Sequence, residues 1–291
     1  IVVGQTQAYF FTDGRYTIQS QQEVDATIFE ISTLGTQQSV MAQLAAQIGS
    51  GTIGVDPHLI TINQGDQLRS LLEKQGGQLV WVTQNLVDMI WNDSPPRPAQ
   101  PITEYPIQYA GLSMAEKCQQ VQEKLTDAGA DVLILTQLNE IAWLTNLRGN
   151  DILHTPLFLA YCQFDGQHLT LYIDSDQLPP PTQAYLKTAQ VIIKPYQEIT
   201  QILANPKKQL RILLDPGSSS CALRKQLEGH HLLLQPSPIE LLKACKNPTE
   251  ITMIQQAHRI DAKAIIQFFT WLESNWPQEV TEMNASDHLA Q

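Results

Sequence analysis

Short apolar runs alternate with amphipathic segments through the first 93 residues of the chain. The β-branched and aromatic runs predict strands, the first two forming a hairpin, at Ile1–Val3, Ala8–Phe11, Ala26–Ile31, Thr52–Val55 and Gln78–Val82. Helical spacing predicts helices over residues 37–48 and 64–74, and Gly76-Gly77 ends the second. Strands that alternate with helices of this length predict an α/β domain over residues 1–93.

A proline-rich segment interrupts this alternation. Four of the eight residues from Ser94 to Pro101 are proline. Proline cannot continue a helix or a central strand, because it lacks the backbone N–H and its ring fixes φ. Such a segment favours a stiff, extended connection, so we expect a linker over residues 94–107.

The region after the linker returns to the α/β pattern and begins with a well-marked helix. Ser113 and Glu116 have the spacing of a capping box, and Gly129 marks the helix end. Apolar positions between Met114 and Ala128 fall on one helical face. The predicted strands are Asp131–Leu135, Leu157–Cys162, Leu169–Ile173, Val191–Ile193, Leu210–Leu214 and His231–Leu234. They predict a second α/β domain over residues 108–237.

Two stretches of the chain share one sequence design. Gly54-Val55-Asp56-Pro57 and Leu213-Leu214-Asp215-Pro216 each precede a helix, a glycine and a further strand. A duplicated unit would explain this likeness, and so would the chance similarity of two α/β units. The sequence leaves both explanations open.

Residues 238–291 change to a helical pattern. Pro238–Cys245 is typical of a short helix, and Asn247, Pro248 and Glu250 carry the start signals of a second one. Apolar residues then keep helical spacing from Ile251 to Trp271. Because nothing after this helix could cover its apolar face, we interpret residues 238–291 as the start of a third domain. We further expect the chain to be a fragment that is trimmed at both ends.

Composition narrows the classes of partner. The chain has 291 residues, of which 43% are hydrophobic and 16% charged, with a net charge of −11. An acidic chain without a Lys/Arg cluster disfavours nucleic acid and anionic membranes as partners. The longest apolar run, Pro156–Cys162, is far shorter than the roughly 20 residues of a membrane-spanning helix. Four scattered cysteines without a CxxC pair indicate reduced thiols and a cytoplasmic protein.

The sequence contains no self-sufficient active-site motif. HExxH, GxSxG, the P-loop and GxGxxG are all absent, and the missing glycine-rich turn disfavours a dinucleotide-binding protein. Gly217–Ser220 precedes a helix, and an ordinary serine cap is a better explanation than an anion site. The spacing of the histidines favours solvated surface residues over metal ligands. No catalytic residue and no metal ligand is predicted in this chain.

The most concentrated polar segment, residues 147–156, lies between a predicted helix over residues 139–146 and a predicted strand. Arg148, Asp151 and His154 could recognise a peptide, because arginine pairs with a carboxylate and aspartate with an ammonium group. A loop that is held by its own Arg–Asp pair would leave the same pattern. For Asp13-Gly14-Arg15-Tyr16 we favour a structural turn, in which Arg15 bonds to backbone carbonyls.

Several segments, in one order along the chain, resemble eukaryotic-type, three-domain Xaa-Pro aminopeptidases (aminopeptidase P). The segments are Phe11–Tyr16, Gly54–Pro57, Asn85–Trp91, Asn139–Asp151, His154–Pro156 and Lys243–Glu250. The stretch from Glu140 to Asp151 is long and specific, whereas the shorter motifs are weak by themselves. The chain is therefore identified as a member of the creatinase/pita-bread metallopeptidase family.

This resemblance implies two creatinase-like α/β domains followed by the opening helices of a catalytic pita-bread domain. It implies two divalent metal ions, usually manganese, whose two aspartate, one histidine and two glutamate ligands have no counterpart in this chain. The substrates would be short peptides with proline at the second position, and the full-length protein would be a homodimer. The chain would be the non-catalytic front part, with Arg148, Asp151 and His154 on the rim of the substrate cleft.

A rival function comes from a different class. Some proteins use this fold without catalysis, as binding modules, and the acidic charge and the missing metal ligands fit such a role. A catalytically inactive interaction module is therefore the alternative to a peptidase.

Overall fold

The computed structural model describes residues 1–34, 40–202, 209–277 and 280–290. Contacts between Cα atoms divide the chain into two compact units. The first contains Ile1–Pro96 and Pro216–Glu228, and the second contains Arg97–Asp215 and Gly229–Gln291. Both units combine helices with sheets, so the predicted α/β fold class is confirmed.

The first unit contains a three-stranded sheet built from the start of the chain. Its strands, in spatial order, are β1 (Val2–Val3), β2 (Ala8–Thr12) and β3 (Phe29–Thr33). The first pair is antiparallel and forms the predicted hairpin, whereas β2 and β3 are parallel. A short 3₁₀ helix (Gly14–Tyr16) and α1 (Thr17–Glu23) form the crossover that a parallel pair requires.

The same unit contains a βαβ element. The strands β4 (Thr52–Val55) and β5 (Gln78–Trp81) are parallel and are joined by α3 (Ile62–Glu73). The helices α2 (Val40–Ile48) and α3 pack together. A later helix, Cys221–Gln226, also belongs to this unit. The buried apolar cluster consists of Ala45, Ile60, Leu68, Leu72 and Cys221.

The second unit is built on a six-stranded mixed sheet. In chain order its strands are β7 (Val132–Leu135), β9 (Tyr161–Phe164), β10 (Leu169–Tyr172), β11 (Ile192–Lys194), β12 (Arg211–Leu214) and β13 (His231–Leu234). Their spatial order is β11-β10-β9-β7-β12-β13. The strands β7, β12 and β13 are parallel, and β9 is antiparallel to both of its neighbours. Every residue of β7 and of β10 is buried, which is typical of strands covered on both faces.

Helices and a short ribbon complete the second unit. The helices are α4 (Ile107–Ala110), α5 (Met114–Asp127), α6 (Leu138–Thr145), α7 (Pro180–Thr188) and α9 (Pro238–Ala244). The number α8 belongs to the helix Cys221–Gln226 of the first unit. The ribbon pairs β6 (Thr103–Glu104) with β8 (Leu147–Arg148). One apolar cluster joins the sheet to α5, α6 and α7, and α6 is buried from Glu140 to Thr145.

The helices α10 (Pro248–Asn275) and α11 (Glu282–Leu289) follow. The predicted cap of α10 is confirmed, because Asn247 and Glu250 form a reciprocal capping box. The helix has no buried residue along its 28 positions, and Trp271 stacks on His288 of α11 with 4.1 Å between ring centroids. Its exposed apolar side chains are Ile251, Ile254, Ile260, Ile265, Ile266 and Phe269. Among the described helices, none combines the length and the apolar character that a bilayer crossing requires.

Two predicted strands begin too early, and both errors have a local cause. The segment before β3 forms a turn instead, in which the backbone N–H of Ile28 donates to Asp25 O and that of Thr27 to Asp25 Oδ1. Residues 157–160 lie outside β9, because Leu157 and Leu159 bond to the Asp151 loop. The predicted helix over residues 37–48 is observed from Val40, and residues 37–39 lie outside the described residues.

The repeated sequence design also has a repeated structural form. Asp56 follows β4, and its Oδ2 accepts a hydrogen bond from Asn85 Nδ2 at 3.0 Å. Asp215 follows β12, and its Oδ2 accepts from the backbone N–H of Ser237 at 3.1 Å. In both cases the aspartate that follows one parallel strand binds the segment after the next strand, as a duplicated unit would.

We predict that Gly111→Ala lowers the free energy of unfolding by about 2–4 kcal/mol, as measured by urea denaturation. Gly111 has φ +73°, and an added Cβ would lie 2.8 Å from Thr249 Cβ and against Asn247 Oδ1. The substitution would therefore add a collision with the start of α10 to the left-handed backbone strain.

Gly129→Ala is the matched control, because Gly129 has φ +64° and its nearest neighbour is the flexible end of Arg211 at 3.3 Å. We expect a loss of about 1–2 kcal/mol from the backbone strain alone. Equal losses for the two variants would contradict the contact with α10.

Candidate functional site

The candidate segment, residues 147–156, begins where α6 ends. Asn146 takes a left-handed conformation with φ 51°, which ends the helix and turns the chain into β8. The ribbon then pairs Arg148 with Thr103, and the backbone N–H of Tyr105 donates to Asn146 O at 2.7 Å. Asparagine tolerates this conformation better than most residues, so the identity of residue 146 directs the turn.

A buried ammonium group stabilises this turn through hydrogen bonds. Lys117 on α5 is 1% exposed, and its Nζ donates to Trp143 O at 2.8 Å and to Asn146 Oδ1 at 2.6 Å. Burial lowers the pKa of Lys117 to about 8, and the Glu250 carboxylate acts in the opposite direction. Lys117 was not among the residues predicted from the sequence, although its position three residues after Met114 and four before Val121 is a core position.

Arg148 lies over an aromatic ring. Its guanidinium carbon is 4.3 Å from the ring centroid of Tyr105. Its Nη1 donates to the carbonyl oxygens of Ala142 and Leu147, each at 2.8 Å. Burial lowers the pKa of Arg148 from its ordinary value. The side chain is thus fixed by the end of α6 and by the ribbon.

Asp151 binds the linker segment and not Arg148. Its Oδ1 accepts from the backbone N–H of Gln100 at 2.9 Å, and its Oδ2 accepts from that of Leu159 at 2.9 Å. Gln177 Nε2 donates to both carboxylate oxygens, at 3.2 and 3.0 Å. The expectation of a loop held by its own Arg–Asp pair is therefore wrong. Gln177, a residue that was not predicted from the sequence, belongs to the same site and is 2% exposed.

His154 lies at the exposed tip of the segment. Its backbone has φ +59°, inside a turn that the bridge between Ile152 and Thr155 closes. The neighbouring Leu153 is 81% exposed. The structure thus places Arg148 against Tyr105, Asp151 against the linker segment and His154 at the surface. A role in substrate binding stays a prediction for all three.

The Asp13-Gly14-Arg15-Tyr16 motif is a structural turn, but Arg15 has a different partner from the one expected. Arg15 Nε and Nη2 donate to the two carboxylate oxygens of Asp13 at 3.0 and 2.8 Å. Hydrogen bonds from the Arg15 side chain and backbone lower the pKa of Asp13 to about 2. Asp13 also caps the 3₁₀ helix, so the motif holds itself together.

The described residues contain no group of three or more His, Cys, Asp or Glu side chains that could hold a metal ion. They therefore do not fit a dinuclear centre. His168 lies beside a carboxylate, with Nδ1 at 3.4 Å from Asp165 Oδ2. The four cysteines are free thiols, as predicted.

Comparison with known families assigns most of the chain. Two family models, both described as the creatinase/prolidase N-terminal domain, match residues 1–90 and 93–250. A probable Xaa-Pro aminopeptidase P of Sordaria macrospora is 36% identical over 99% of this chain and 50% of its own length. The chain belongs to the Xaa-Pro aminopeptidase P family. A relative of the same description from Aspergillus niger is 35% identical over 100% of the chain and 50% of its own length.

A solved structure of a family member confirms the fold. X-prolyl aminopeptidase from Caenorhabditis elegans, described as a cytosolic enzyme with a di-nuclear active site, matches with a TM-score of 0.90 and 27% identity. The match covers 99% of this chain and 48% of that protein. The chain thus spans about half the length of the Xaa-Pro aminopeptidases that it matches.

We predict that Asp151→Asn lowers the free energy of unfolding by about 2–3 kcal/mol, because an amide cannot accept the four hydrogen bonds of the carboxylate. Hydrogen exchange, followed by mass spectrometry, should show faster exchange at the amides of Gln100 and Leu159.

Asp127→Asn on α5 is the control, because Asp127 is 74% exposed and 3.7 Å from Lys124 Nζ. We expect no measurable change in stability for this variant. A tolerated Asp151→Asn with unchanged exchange at Gln100 would contradict the role of Asp151 in holding the linker segment.

Proposed function

We propose that this chain is the non-catalytic front part of a metal-dependent aminopeptidase that removes the N-terminal residue from peptides with proline in second position. The observation that carries the proposal is the similarity to Xaa-Pro aminopeptidases over essentially the whole chain, in sequence and in fold. Residues 1–93 and 108–237 would be two creatinase-like domains with a linker over residues 94–107. Residues 238–291 would begin the catalytic domain.

In this proposal the chain shapes the substrate cleft and supports a homodimer. Arg148, Asp151 and His154 form the rim that contacts the peptide, and the hydrogen bonds of Asp151 to Gln100 and Leu159 also hold the loop that carries them. The described contacts of the Arg148 guanidinium involve Nη1, and a planar guanidinium offers further donors for a peptide carbonyl or carboxylate. His154 is exposed at the tip of the same loop.

The proposed cofactor is a pair of divalent metal ions, with manganese preferred because the family resemblance implies carboxylate-rich ligands. Such ions activate a water molecule and polarise the scissile carbonyl. No hydrolytic step is assigned to the described residues, because they do not fit a dinuclear centre. By likeness to the Caenorhabditis elegans enzyme, described as cytosolic, we propose a cytoplasmic protein.

The test is to express the longest reading frame that contains this chain and to assay it on paired Xaa-Pro and Xaa-Ala peptides with manganese. We expect release of the first residue from the Xaa-Pro peptides alone, loss of activity after metal chelation and recovery when manganese is returned. If none of the Xaa-Pro peptides is cleaved with manganese present, the peptidase proposal fails. An inactive binding module would then be the better explanation.

We predict that Arg148→Lys in that protein raises KM about tenfold, a loss of about 1.4 kcal/mol, with little change in kcat. Lysine lacks the planar guanidinium, which lies over Tyr105 and can form two parallel hydrogen bonds to one carboxylate. The measurement is steady-state kinetics on one Xaa-Pro peptide.

Lys187→Arg on α7 is the control, because it keeps the charge at an exposed position outside the candidate segment. We expect its kinetic constants to match the parent protein. An unchanged KM for Arg148→Lys would exclude Arg148 from substrate binding.

A further inference from the structure

Helix α6 contains three buried polar atoms without a hydrogen-bond partner, Asn139 Oδ1, Glu140 Oε1 and Trp143 Nε1, and no other described residue contributes one. Glu140 is the ionisable member of this set and is 2% exposed. A buried carboxylate with an unpartnered oxygen is costly when it is charged. The protonation state of Glu140 therefore bears on the packing around α6.

The groups nearest to Glu140 come from the end of β12 and from α9. The hydroxyl of Ser237 donates a hydrogen bond to Glu140, and the charges that act on Glu140 are Asp215, Glu240 and Lys243. Ser237 also donates its backbone N–H to Asp215 Oδ2 at 3.1 Å and caps α9 by accepting from the N–H of Ile239 at 3.3 Å. Ser237, at the start of α9, thus bridges two carboxylates.

The other elements that pack against α6 do not neutralise the carboxylates of Glu140, Asp215 and Glu240. The strands β7 and β9 carry no charged side chain. On α5 the Lys117 ammonium binds the far end of α6, at Trp143 and Asn146. In β8 the Arg148 guanidinium binds Ala142 and Leu147. Glu116 of α5 is occupied by its capping box with Ser113, and Glu123, Lys124 and Asp127 are exposed.

These surroundings oppose ionisation of Glu140. Burial is the main cause of the raised pKa of Glu140. The hydrogen bond from Ser237 lowers this pKa, and the carboxylates of Asp215 and Glu240 raise it further. Together they raise the pKa of Glu140 to about 7. A carboxyl group in this position titrates near neutral pH instead of near its ordinary value of about 4.3.

We propose that Glu140 is a pH-sensitive latch that holds α9 against α6 when it is protonated and loosens α9, together with the start of α10, when it is ionised. Ionisation releases one proton to solvent and leaves three carboxylates around Ser237 with one ammonium group. Lys243 offsets one of these charges. Glu140 would act in this way whether or not the parent protein is a peptidase.

The direction of the pH effect follows from proton linkage. When α9 opens, Glu140 reaches water and regains its ordinary pKa, so the open state binds fewer protons above about pH 4.5. Rising pH therefore favours opening, until Glu140 is also ionised in the closed state above about pH 7. Between pH 5 and pH 8 the opening equilibrium of α9 should increase on the order of 50-fold.

The test is hydrogen exchange of the full chain at several pH values from 5 to 8, followed by mass spectrometry. Exchange of peptides from α9 is corrected for the intrinsic pH dependence of amide exchange and compared with peptides from β7. We expect the corrected opening of α9 to rise with pH while β7 stays protected. Glu140→Gln, which is neutral at every pH, should remove this rise.

Two further variants keep the test decisive. Glu240→Gln changes an exposed neighbour and should keep the fold, and by removing one carboxylate it should shift the rise towards lower pH and reduce its size. Glu123→Gln changes an exposed carboxylate of α5 and should leave the pH profile unchanged. A pH-independent α9 in the parent chain would overturn the proposal, as would the parental profile in Glu140→Gln. If Glu140→Gln does not fold, an unshifted profile in Glu240→Gln would overturn it.

Discussion

The hydrogen bonds of the buried Lys117 ammonium group are the interactions on which the end of α6 and the start of the candidate segment depend. Burial of a charge is costly unless it is hydrogen-bonded, and here Trp143 O and Asn146 Oδ1 supply the acceptors. Asn146 is thereby fixed in its left-handed conformation, and its Nδ2 donates onward to Leu112 O at 2.9 Å. Two residues before Leu112, Ala110 O accepts a hydrogen bond at 2.8 Å from Asn247 Nδ2 at the start of α10. One polar network therefore runs from α5 through the end of α6 to α10.

The proline-rich segment is held by the same unit along much of its length. Arg97 lies 4.0 Å from the ring centroid of Tyr196, and Gln100 binds Asp151 through its N–H and Gln177 through its carbonyl. Ile102 is fully buried, and its N–H donates to Gln177 O at 2.8 Å. Proline supplies stiffness to such a segment, but its course here is set by side chains of the folded unit. The loop that carries Arg148 and the segment that precedes it therefore form one hydrogen-bonded structure.

Features that depend on neighbours in sequence could be predicted, and features that depend on distant partners could not. The caps at Ser113 and Asn247, the first hairpin and the strand β4 follow from residues within a few positions of each other. Two of the three partners of the Asp151 carboxylate, Gln100 and Gln177, are 51 and 26 residues away, so the loop motif by itself pointed to the wrong pair with Arg148. Lys117 was missed for a related reason, since its acceptors are 26 and 29 residues away.

The acidity of the chain has a structural use that sequence composition does not reveal. Asp13, Asp25, Asp56, Asp165 and Asp174 each accept a hydrogen bond from the backbone N–H two residues later. Such turns stabilise the ends of strands and the starts of helices, and they need an acceptor at each separate position. Carboxylates spread over separate turns do not converge on one point, as the ligands of a metal centre must. Five of the 29 acidic residues thus have a local structural use, so the net charge of −11 is by itself a poor guide to the partners of the protein.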